Sequence, residues 1–347
     1  MINIEKLIRK NVLELTPYSS AREEYTGNDA IFLDANENPY NTNYNRYPDP
    51  YQKELKKRIA ELKNIPTQNI FLGNGSDEAI DLIIRGFCEP RIDNILTTPP
   101  TYGMYQVAAG INDIEIKNAI LTPNFQLNVE KILSVADNHS KILFVCSPNN
   151  PTANCMKKSD IIRLLTNFRG IIVVDEAYID FSDKESVRNL IADYNNLVVV
   201  QTLSKAWGLA GIRLGMLFAD TEIVGVLNKI KPPYNVNRLT QETAIKHLAN
   251  TSQRDEWIRR IVVERERLRE ALHRQHYVKQ IYPSDANFLL VKVDNPRQLY
   301  EYLLGKHIVV RDRSKMPLCE GCLRFTIGTE TENAKLTEAL EQFDRNK

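Results

Sequence analysis

Five polar clusters in the sequence follow directly on short apolar runs. They occupy residues 73–78, 99–103, 147–152, 175–178 and 202–205. Short runs that are almost entirely apolar are typical of strands buried on both faces, as in a parallel sheet. Ligands of such sheets bind at the carboxyl ends of the strands. The sequence therefore predicts that the five clusters line one crevice.

The residue types in these clusters suit chemistry on a charged aromatic ring that carries a phosphate. Lys205 leaves a buried strand, and desolvation there lowers the pKa of an amine and frees it to form an imine. Asp175, at another strand end, can pair with a protonated ring nitrogen. A glycine turn at residues 73–75 offers backbone N–H groups to a phosphate at a helix start. Ser204 and Arg213 add a hydroxyl and a fixed positive charge.

Each of these features alone has a commoner structural explanation. A Gly-x-Gly turn before a helix is usually only a turn, and a strand-end aspartate is more often a helix cap. An isolated arginine is usually solvated or in a surface ion pair. The ordered combination of the glycine turn with Asp175, Tyr178, Lys205 and Arg213 is what points to pyridoxal phosphate (PLP).

The elements that must position the clusters follow from hydrophobic periodicity. Apolar runs alternate with stretches of helical spacing, such as residues 77–87 and 158–168. This alternation predicts an α/β fold with a mostly parallel central sheet flanked by helices. The apolar runs expected to form strands are residues 69–72, 94–98, 141–146, 171–174 and 197–201.

The pattern changes after Lys231. A long charged helix is expected over residues 237–276, followed by strands near 286–293 and 323–327 and a terminal helix from Glu332. These elements predict a second, smaller α+β domain. The expected division is an N-terminal helix and arm over residues 1–30, a large domain over 31–235 and a small domain over 236–347.

Composition narrows the possible classes of function. The formal net charge is +1, with 43% hydrophobic and 26% charged residues, so no overall field favours nucleic acid or a membrane surface. No run approaches the roughly 20 apolar residues that span a bilayer. Five scattered cysteines favour a reducing cytoplasm. The single Cys319-Glu-Gly-Cys322 pair is expected to lie in a loop, and no metal site is predicted.

The order of these motifs resembles that of the fold-type I PLP-dependent aminotransferases of class II. Among them, the sequence is similar to the histidinol-phosphate aminotransferase family. The resemblance extends over nearly the whole chain. The segments that carry it are residues 33–40, 45–50, 73–78, 147–152, 175–178, 202–215 and 323–329.

The resemblance implies a role for each matching residue. Lys205 bonds PLP as a Schiff base and shuttles a proton, and Asp175 pairs the ring nitrogen. Tyr178 and Asn150 hydrogen-bond the ring oxygen O3′, while Tyr102 stacks on the ring. The residues implied to cradle the cofactor phosphate are Ser76, Asp77, Glu78, Thr202, Ser204 and Arg213.

The resemblance also implies a homodimer with a shared active site. Tyr47 would reach the cofactor phosphate of the neighbouring subunit. Arg324 would clamp the carboxylate of glutamate, a planar group that suits a bidentate guanidinium. The weaker candidates for contact with substrate are Asn36 and Tyr18, and those for the substrate phosphate are Arg22 and Arg313.

The implied reaction is reversible amino transfer between L-histidinol phosphate and 2-oxoglutarate in histidine biosynthesis. It yields imidazole acetol phosphate and glutamate, so the partners are a small amino donor and a 2-oxo acid. A threonine-phosphate decarboxylase or an aromatic-amino-acid aminotransferase on the same fold remains an alternative, because substrate choice resides in the pocket. A non-catalytic PLP-fold binding protein is the remote alternative, which the complete set of site residues disfavours.

One position departs from the family pattern. The family reads Asn-Pro-Thr-Gly where this chain has Ala153 after Thr152. A glycine at this point serves a turn with positive φ. We expect Ala153 to avoid the left-handed region and Asn154 to adopt it instead.

Overall fold

A seven-stranded sheet forms the centre of the computed structural model, which describes residues 2–17 and 31–345. Its strand order is β1-β7-β6-β5-β4-β2-β3. Strands β2 to β6 pair in parallel, whereas β7 runs antiparallel to β1 and β6. The expected mostly parallel sheet is therefore confirmed. The strands are β1 Ile70–Asn74, β2 Asn94–Thr97, β3 Glu115–Asn118, β4 Ser140–Cys146, β5 Ile171–Asp175, β6 Leu197–Thr202 and β7 Leu214–Phe218.

Helices cover both faces of this sheet. Successive strand residues point to opposite faces, so Leu143 and Val174 lie in one apolar cluster while Phe144 and Val173 lie in the other. In the described part of the chain, no helix combines the length and apolar character needed to cross a bilayer. The helices before and around the sheet are α1 Lys10–Glu14, α2 Lys53–Lys63, α3 Ser76–Phe87, α4 Met104–Ile111, α5 Val129–Val135, α6 Lys158–Asn167, α7 Thr221–Ile230 and α8 Arg238–Leu248.

A second, four-stranded sheet is built from the C-terminal part of the chain. Its order is β10-β11-β9-β8, and all of its pairs are antiparallel. Leu268, Leu289 and Phe325 are among the residues of its own apolar core. Its elements are α9 Thr251–His273, β8 Val278–Ile281, β9 Phe288–Val293, α10 Pro296–Gly305, β10 Arg311–Asp312, β11 Cys322–Thr326 and α11 Glu330–Arg345.

The single long helix expected over residues 237–276 is wrong. Two helices, α8 and α9, occupy this stretch and meet at Ala249 and Asn250. The Asn250 side chain accepts a hydrogen bond from the backbone N–H of Gln253 at 3.3 Å. Asparagine is a favoured N-cap because its side chain satisfies an N–H of the first turn. The cap starts a new helix within a stretch of otherwise helical composition.

The expected division at residues 235 and 236 stays a prediction. Val236, Ala244 and Leu248 lie in an apolar cluster of the seven-stranded sheet, together with Leu55 and Ile59 of α2. Helix α8 thus packs with the first sheet, whereas α9 packs mainly with the second.

The strand order brings the carboxyl ends of β1, β4, β5 and β6 to one edge of the sheet, together with the start of β7. Cys146 at the end of β4 pairs with Asp175 at the end of β5. Thr202 at the end of β6 lies opposite Gly215 in β7, which in turn lies opposite Gly73 in β1. The polar clusters that follow β1, β4, β5 and β6 therefore start at one edge of the sheet.

Candidate active site

A cavity opens at this edge of the sheet, and all five polar clusters contribute to its wall. The segment 99–103, which follows β2, adds Tyr102. Residues from the loop before β7 complete the wall. The lining residues are Ser76, Asp77, Tyr102, Cys146, Asn150, Asp175, Ala177, Tyr178, Thr202, Ser204, Lys205, Ala210 and Arg213.

The Lys205 amine faces the cavity just beyond β6. Its Nζ lies 5.6 Å from the centroid of the Tyr178 ring. Burial is the main cause that lowers the pKa of Lys205, and the positive charge of Arg324 adds to it, while Asp175 acts in the opposite direction. A lowered pKa gives a larger fraction of uncharged amine at neutral pH, which is the form that attacks a carbonyl.

The Asp175 carboxylate forms the floor of the cavity. Its Oδ2 accepts a hydrogen bond from the Tyr105 hydroxyl at 2.8 Å, and its Oδ1 accepts one from the Ala177 N–H at 3.0 Å. Burial raises the pKa of Asp175, although both hydrogen bonds oppose the shift. A buried carboxylate is stabilised by a positive partner. A protonated ring nitrogen fits this position.

Tyr105 is a site residue that the sequence reasoning missed. It is fully buried, and its ring stacks on Phe144 with centroids 4.6 Å apart. Its ring also meets the edge of Tyr102 at 5.6 Å. The available signal was that Tyr105 follows Tyr102 by three residues, at the start of a stretch expected to be helical. The partner of its hydroxyl, 70 residues away, could not be read from that spacing.

The N-terminus of α3 forms a cradle for an anion. Gly75 precedes it with φ +79°, and a Cβ there would lie 2.6 Å from Nη2 of Arg213. Gly215 permits an equally close approach, since its Cβ would lie 2.3 Å from the Ser76 nitrogen. Among the described residues, no side chain caps this helix. The first-turn N–H groups and the helix dipole therefore suit a phosphate, beside the guanidinium of Arg213.

The other residues expected at the phosphate differ in what they can donate. The Thr202 hydroxyl accepts the Ser204 N–H at 3.1 Å, so both hydroxyls lie on one wall. The Asp77 carboxylate accepts from the Tyr102 hydroxyl at 3.2 Å and lies 3.5 Å from Arg213. Of the groups of Asp77, only the backbone N–H is therefore suited to binding an anion. Glu78 is not part of the cavity wall, because its carboxylate accepts hydrogen bonds from the Asn74 N–H and the Asn235 amide.

Arg324, from the second sheet, contacts Asn150 of the cavity wall. It lies in β11 and donates from Nη1 to Oδ1 of Asn150. Its guanidinium carbon is 5.2 Å from the ring centroid of Phe288, whose ring meets Tyr178 edge-on at 5.1 Å. Within the described chain, the buried Nε of Arg324 has no hydrogen-bond partner. A free donor on a charged fork fits the carboxylate of a substrate.

Arg313 lies close enough to Arg324 for the two charges to interact. Burial is the main cause that lowers the pKa of Arg324, and Arg313 contributes further. The pKa of Arg313 is itself lowered by burial and by Arg311. The positive charges of Arg324 and Arg313 therefore act on Tyr178 of the cavity wall, and that of Arg324 also acts on Lys205, which favours an anionic substrate.

Other expected site residues lie elsewhere. Asn36 and Tyr47 line a separate groove with Arg46 and Leu239. Tyr47 stacks on Tyr234, with the ring centroids 4.4 Å apart. Tyr18 and Arg22 fall outside the described residues, as does part of the expected arm.

Ala153 itself adopts the left-handed conformation, with φ +70°, so the expectation that Asn154 would take it is wrong. The Ala153 N–H donates to the Asn149 carbonyl at 2.7 Å, which holds this turn. Its methyl group is fully buried against a cluster that includes Tyr178 and Phe288. A left-handed alanine costs about 1–2 kcal/mol, and a buried methyl returns about 0.8 kcal/mol.

Substitutions at Ala153 should separate backbone strain from packing. We expect Ala153→Gly to change the free energy of unfolding by less than about 1 kcal/mol, because relief of strain offsets the lost methyl contact. Ala153→Val should destabilise by about 2–4 kcal/mol, since a β-branched residue is strained at positive φ and overfills the cluster. Urea unfolding measures both values. A valine variant as stable as the parent would contradict the left-handed conformation of Ala153.

Comparisons with known proteins agree on the kind of protein to which this site belongs. The model of the family described as aminotransferase class I and II matches residues 25–343. Histidinol-phosphate aminotransferase of Parabacteroides distasonis is 53% identical over 341 residues, which cover 98% of this chain and 99% of that protein.

Solved structures share the fold. The crystal structure of histidinol-phosphate aminotransferase from Clostridium acetobutylicum superposes with a TM-score of 0.81 at 28% identity, over 88% of this chain and 92% of that one. L-threonine-O-3-phosphate decarboxylase from Porphyromonas gingivalis superposes with a TM-score of 0.73 at 25% identity, over 86% of this chain and 91% of that one. The predicted fold type I, with a large parallel-sheet unit and a smaller α+β unit, is confirmed. The chain belongs to the aminotransferase class I and II family and, within it, to the histidinol-phosphate aminotransferases.

Proposed function

We propose that the protein transfers the amino group of L-histidinol phosphate to 2-oxoglutarate, reversibly, in histidine biosynthesis. The products are imidazole acetol phosphate and glutamate. The observation that carries the chemistry is one cavity that joins the Lys205 amine, the buried Asp175 carboxylate and the anion cradle at α3. The choice of substrate is supported by relatives of that name over nearly their whole length.

The cavity residues divide the work of holding PLP and moving protons. PLP, when bound, supplies an aldehyde that accepts amino groups and a ring that withdraws electrons from the reacting carbon. Lys205 would hold the cofactor through its amine, and the same amine would carry the proton at the substrate α-carbon. Burial lowers the pKa of Lys205, which increases the uncharged fraction of its amine for that transfer. Asp175 keeps the ring nitrogen protonated.

The remaining wall residues fix the orientation of the ring. Tyr178 and Asn150 would hydrogen-bond its O3′ oxygen, and Tyr102 would stack on its face, since all three side chains line the cavity. The N–H groups at the start of α3 and the Arg213 guanidinium hold its phosphate, as the uncapped helix end supports. The further contributors proposed for the phosphate are Ser76, Asp77, Glu78, Thr202 and Ser204, with Glu78 acting through the turn that its carboxylate ties together.

The positive side of the cavity binds the two substrates in turn. Arg324 clamps the carboxylate of glutamate or 2-oxoglutarate, which its unpartnered Nε supports. Arg313 lies beside it for a second anionic group. Asn36 and Tyr18 remain proposed substrate contacts, and Tyr18 would act across a dimer.

A second copy of the chain completes the site. Ile31, Leu33 and Tyr40 are 80–87% exposed on the segment that leads to the Tyr47 groove. A cluster of exposed apolar residues is typical of an interface. Tyr47 does not line the cavity of its own chain, which supports its contribution to the cavity of a symmetric partner.

Mixing two inactive variants tests this shared site. Tyr47→Ala and Lys205→Ala should each have low activity as pure proteins. After co-refolding in equal amounts, half of the dimers pair the two variants, and each has one site with both residues intact. We expect recovery of about a quarter of the parent activity, because a symmetric dimer distributes subunits at random. No recovery above the pure variants would show that Tyr47 does not cross the interface.

A panel of amino donors tests the reaction itself. With 2-oxoglutarate as acceptor, purified holoenzyme should turn over L-histidinol phosphate with the highest kcat/KM. Phenylalanine and tyrosine test the aromatic-amino-acid alternative, and release of carbon dioxide from threonine phosphate tests the decarboxylase alternative. Predominant activity in either alternative assay, with none on histidinol phosphate, would overturn the substrate but leave the cofactor chemistry intact.

We also propose a cytoplasmic location. All five cysteines are free thiols, and four of them are buried. Unpaired cysteines scattered along a chain suit a reducing compartment.

A further inference from the structure

We call the part of the chain built on the seven-stranded sheet the first unit, and the part built on the four-stranded sheet the second unit. Asp285 of the second unit makes three hydrogen bonds to the first unit. Its backbone N–H donates to the Ala153 carbonyl at 2.8 Å. Its Oδ2 accepts from the Cys155 N–H at 2.8 Å, and its Oδ1 accepts from the Ser182 hydroxyl at 3.4 Å. One residue between β8 and β9 therefore ties down the segments that follow both β4 and β5.

The segment held by Asp285 carries a residue of the cavity wall. Asn150 lies in the loop between β4 and Ala153, and its Oδ1 accepts the hydrogen bond from Arg324. Asn149 anchors the same loop from inside, since its side-chain amide donates to the Pro100 carbonyl at 2.8 Å. The backbone from Asn149 to Cys155 is thus fixed at both ends.

Hydrogen bonds attach the turn that contains Asp285 to the start of β9, which is the neighbour of the strand that carries Arg324. The Ser284 hydroxyl lies 2.7 Å from the Phe288 carbonyl and accepts the Ala286 N–H at 3.1 Å. Arg265 of α9 donates to the Ala286 carbonyl at 2.8 Å. Strand β9 begins at Phe288 and pairs with β11, where Leu290 lies opposite Arg324.

An apolar cluster also connects the turn of Asp285 with the loop that carries Asn150. Phe288 and Ala286 of the second unit pack there with Ala153, Tyr178 and Ala206. Ala153, whose carbonyl accepts the Asp285 N–H, belongs to this cluster, and the Arg324–Asn150 contact involves the same loop. A displacement at Asp285 would therefore move Arg324 relative to Asn150.

We propose that Asp285 is a positioning residue that holds Arg324 against Asn150 of the cavity wall and so sets the affinity for the 2-oxo acid. This inference rests on the proposed function, in which Arg324 binds that carboxylate. The residues that line the cavity lie between Ser76 and Arg213, all in the first unit. Because Asn149 still anchors the Asn150 loop from inside, loss of the Asp285 contacts should weaken the binding of 2-oxo acid but leave the binding of PLP unchanged.

The test compares three variants of the holoenzyme. Asp285→Ala removes both carboxylate contacts, whereas Asp285→Asn keeps an oxygen for the Cys155 N–H and an amide near the Ser182 hydroxyl. Asp294→Ala removes an exposed aspartate of the same unit, paired with Lys279 at 3.1 Å, and is the matched control. The quantities measured are KM for 2-oxoglutarate, kcat, the dissociation constant of PLP by absorbance titration, and Tm.

We expect Asp285→Ala to raise KM for 2-oxoglutarate about tenfold, as for a lost charged hydrogen bond, with PLP affinity unchanged within about twofold. Asp285→Asn should restore KM to within about threefold of the parent, and Asp294→Ala should match the parent. An unchanged KM in Asp285→Ala would overturn the proposal. A parallel loss of PLP affinity would also overturn it, because it would indicate general loosening of the fold.

A second variant carries the test if Asp285→Ala does not fold. Ser284→Ala removes the hydroxyl that stiffens the turn while leaving Asp285 in place. It should show the same rise in KM without loss of PLP affinity, and absence of that rise would contradict the proposal. Parent enzyme that does not transaminate 2-oxoglutarate would instead refute the proposed function, so the two failures are distinguishable.

Discussion

Replacement of Lys205 by alanine is expected to lower the rate of amino transfer by about 10⁴-fold or more, because the chain loses both the amine that bonds PLP and the group that moves the α-proton. The variant should also lack the absorbance of lysine-bound cofactor. Steady-state assays on the proposed substrates and an absorbance spectrum of the PLP-loaded protein measure the two effects.

Two further lysine variants separate the amine from its charge and from burial in general. Lys205→Arg keeps a positive charge but cannot provide an uncharged amine, so it should be as inactive as the alanine variant. Lys56→Met removes another buried lysine, whose pKa burial lowers to about 8, and it should retain activity. Substantial turnover by Lys205→Arg would contradict the role given to the Lys205 amine.

Replacement of Asp175 by asparagine is expected to lower kcat by about 10²–10³-fold, the range for loss of one preorganised electrostatic group. The amide keeps the shape of the side chain but not the negative charge that would hold the ring nitrogen protonated. The effect should fall on the proton-transfer steps more than on PLP binding, because the phosphate contacts are intact. Single-turnover kinetics of each half-reaction, followed by absorbance, measure this difference.

Two comparisons sharpen the Asp175 result. Tyr105→Phe removes one hydrogen bond to the carboxylate but leaves its charge, so the loss should be only about tenfold. Asp183→Asn changes an exposed aspartate a few residues away, paired with Lys184 at 3.0 Å, and should have no effect. An Asp175→Asn enzyme as fast as the parent would show that the carboxylate does not act on the ring.

The positions of the polar clusters were predictable because each cluster directly follows an apolar run in the sequence. The hydrophobic period of each run is a local property, and ligands of parallel sheets bind at the carboxyl ends of the strands. The apolar runs before Lys205 and Asp175 became β6 and β5, each within a residue of the expected bounds. Parallel neighbours then place the ends of both strands at one edge without knowledge of the exact packing. The resemblance supplied the roles, which spacing alone could not.

Other parts of the fold depend on contacts between distant residues. Strand β7, Leu214–Phe218, was not expected, and its antiparallel entry between β1 and β6 is defined only by pairs such as Gly73 with Gly215. Strand β3 is short and partly exposed, with the polar sequence Glu-Ile-Lys-Asn, so it lacks the apolar run of a buried strand. Asn250 could either continue one long helix or cap a new one. A charged helical pattern is compatible with both, so the sequence did not predict the break at this residue.

The site contained contacts of the same long-range kind. The Tyr105 hydroxyl meets Asp175 across 70 residues, and Asp285 meets Cys155 across 130 residues. Neither pair belongs to a motif of fixed spacing. The left-handed Ala153 was missed because its cost is partly offset by burial of its methyl group, which only the packed structure shows.

Mapping the lysine that bonds the cofactor tests the central claim most directly. Reduction of the PLP-loaded protein with borohydride makes the bond between amine and cofactor permanent, and peptide mass spectrometry then locates the added mass. We predict the label on the peptide that contains Lys205 and on no other. Label on Lys56 or Lys63, two other lysines whose pKa burial lowers, or no label at all, would contradict the assignment of the cavity.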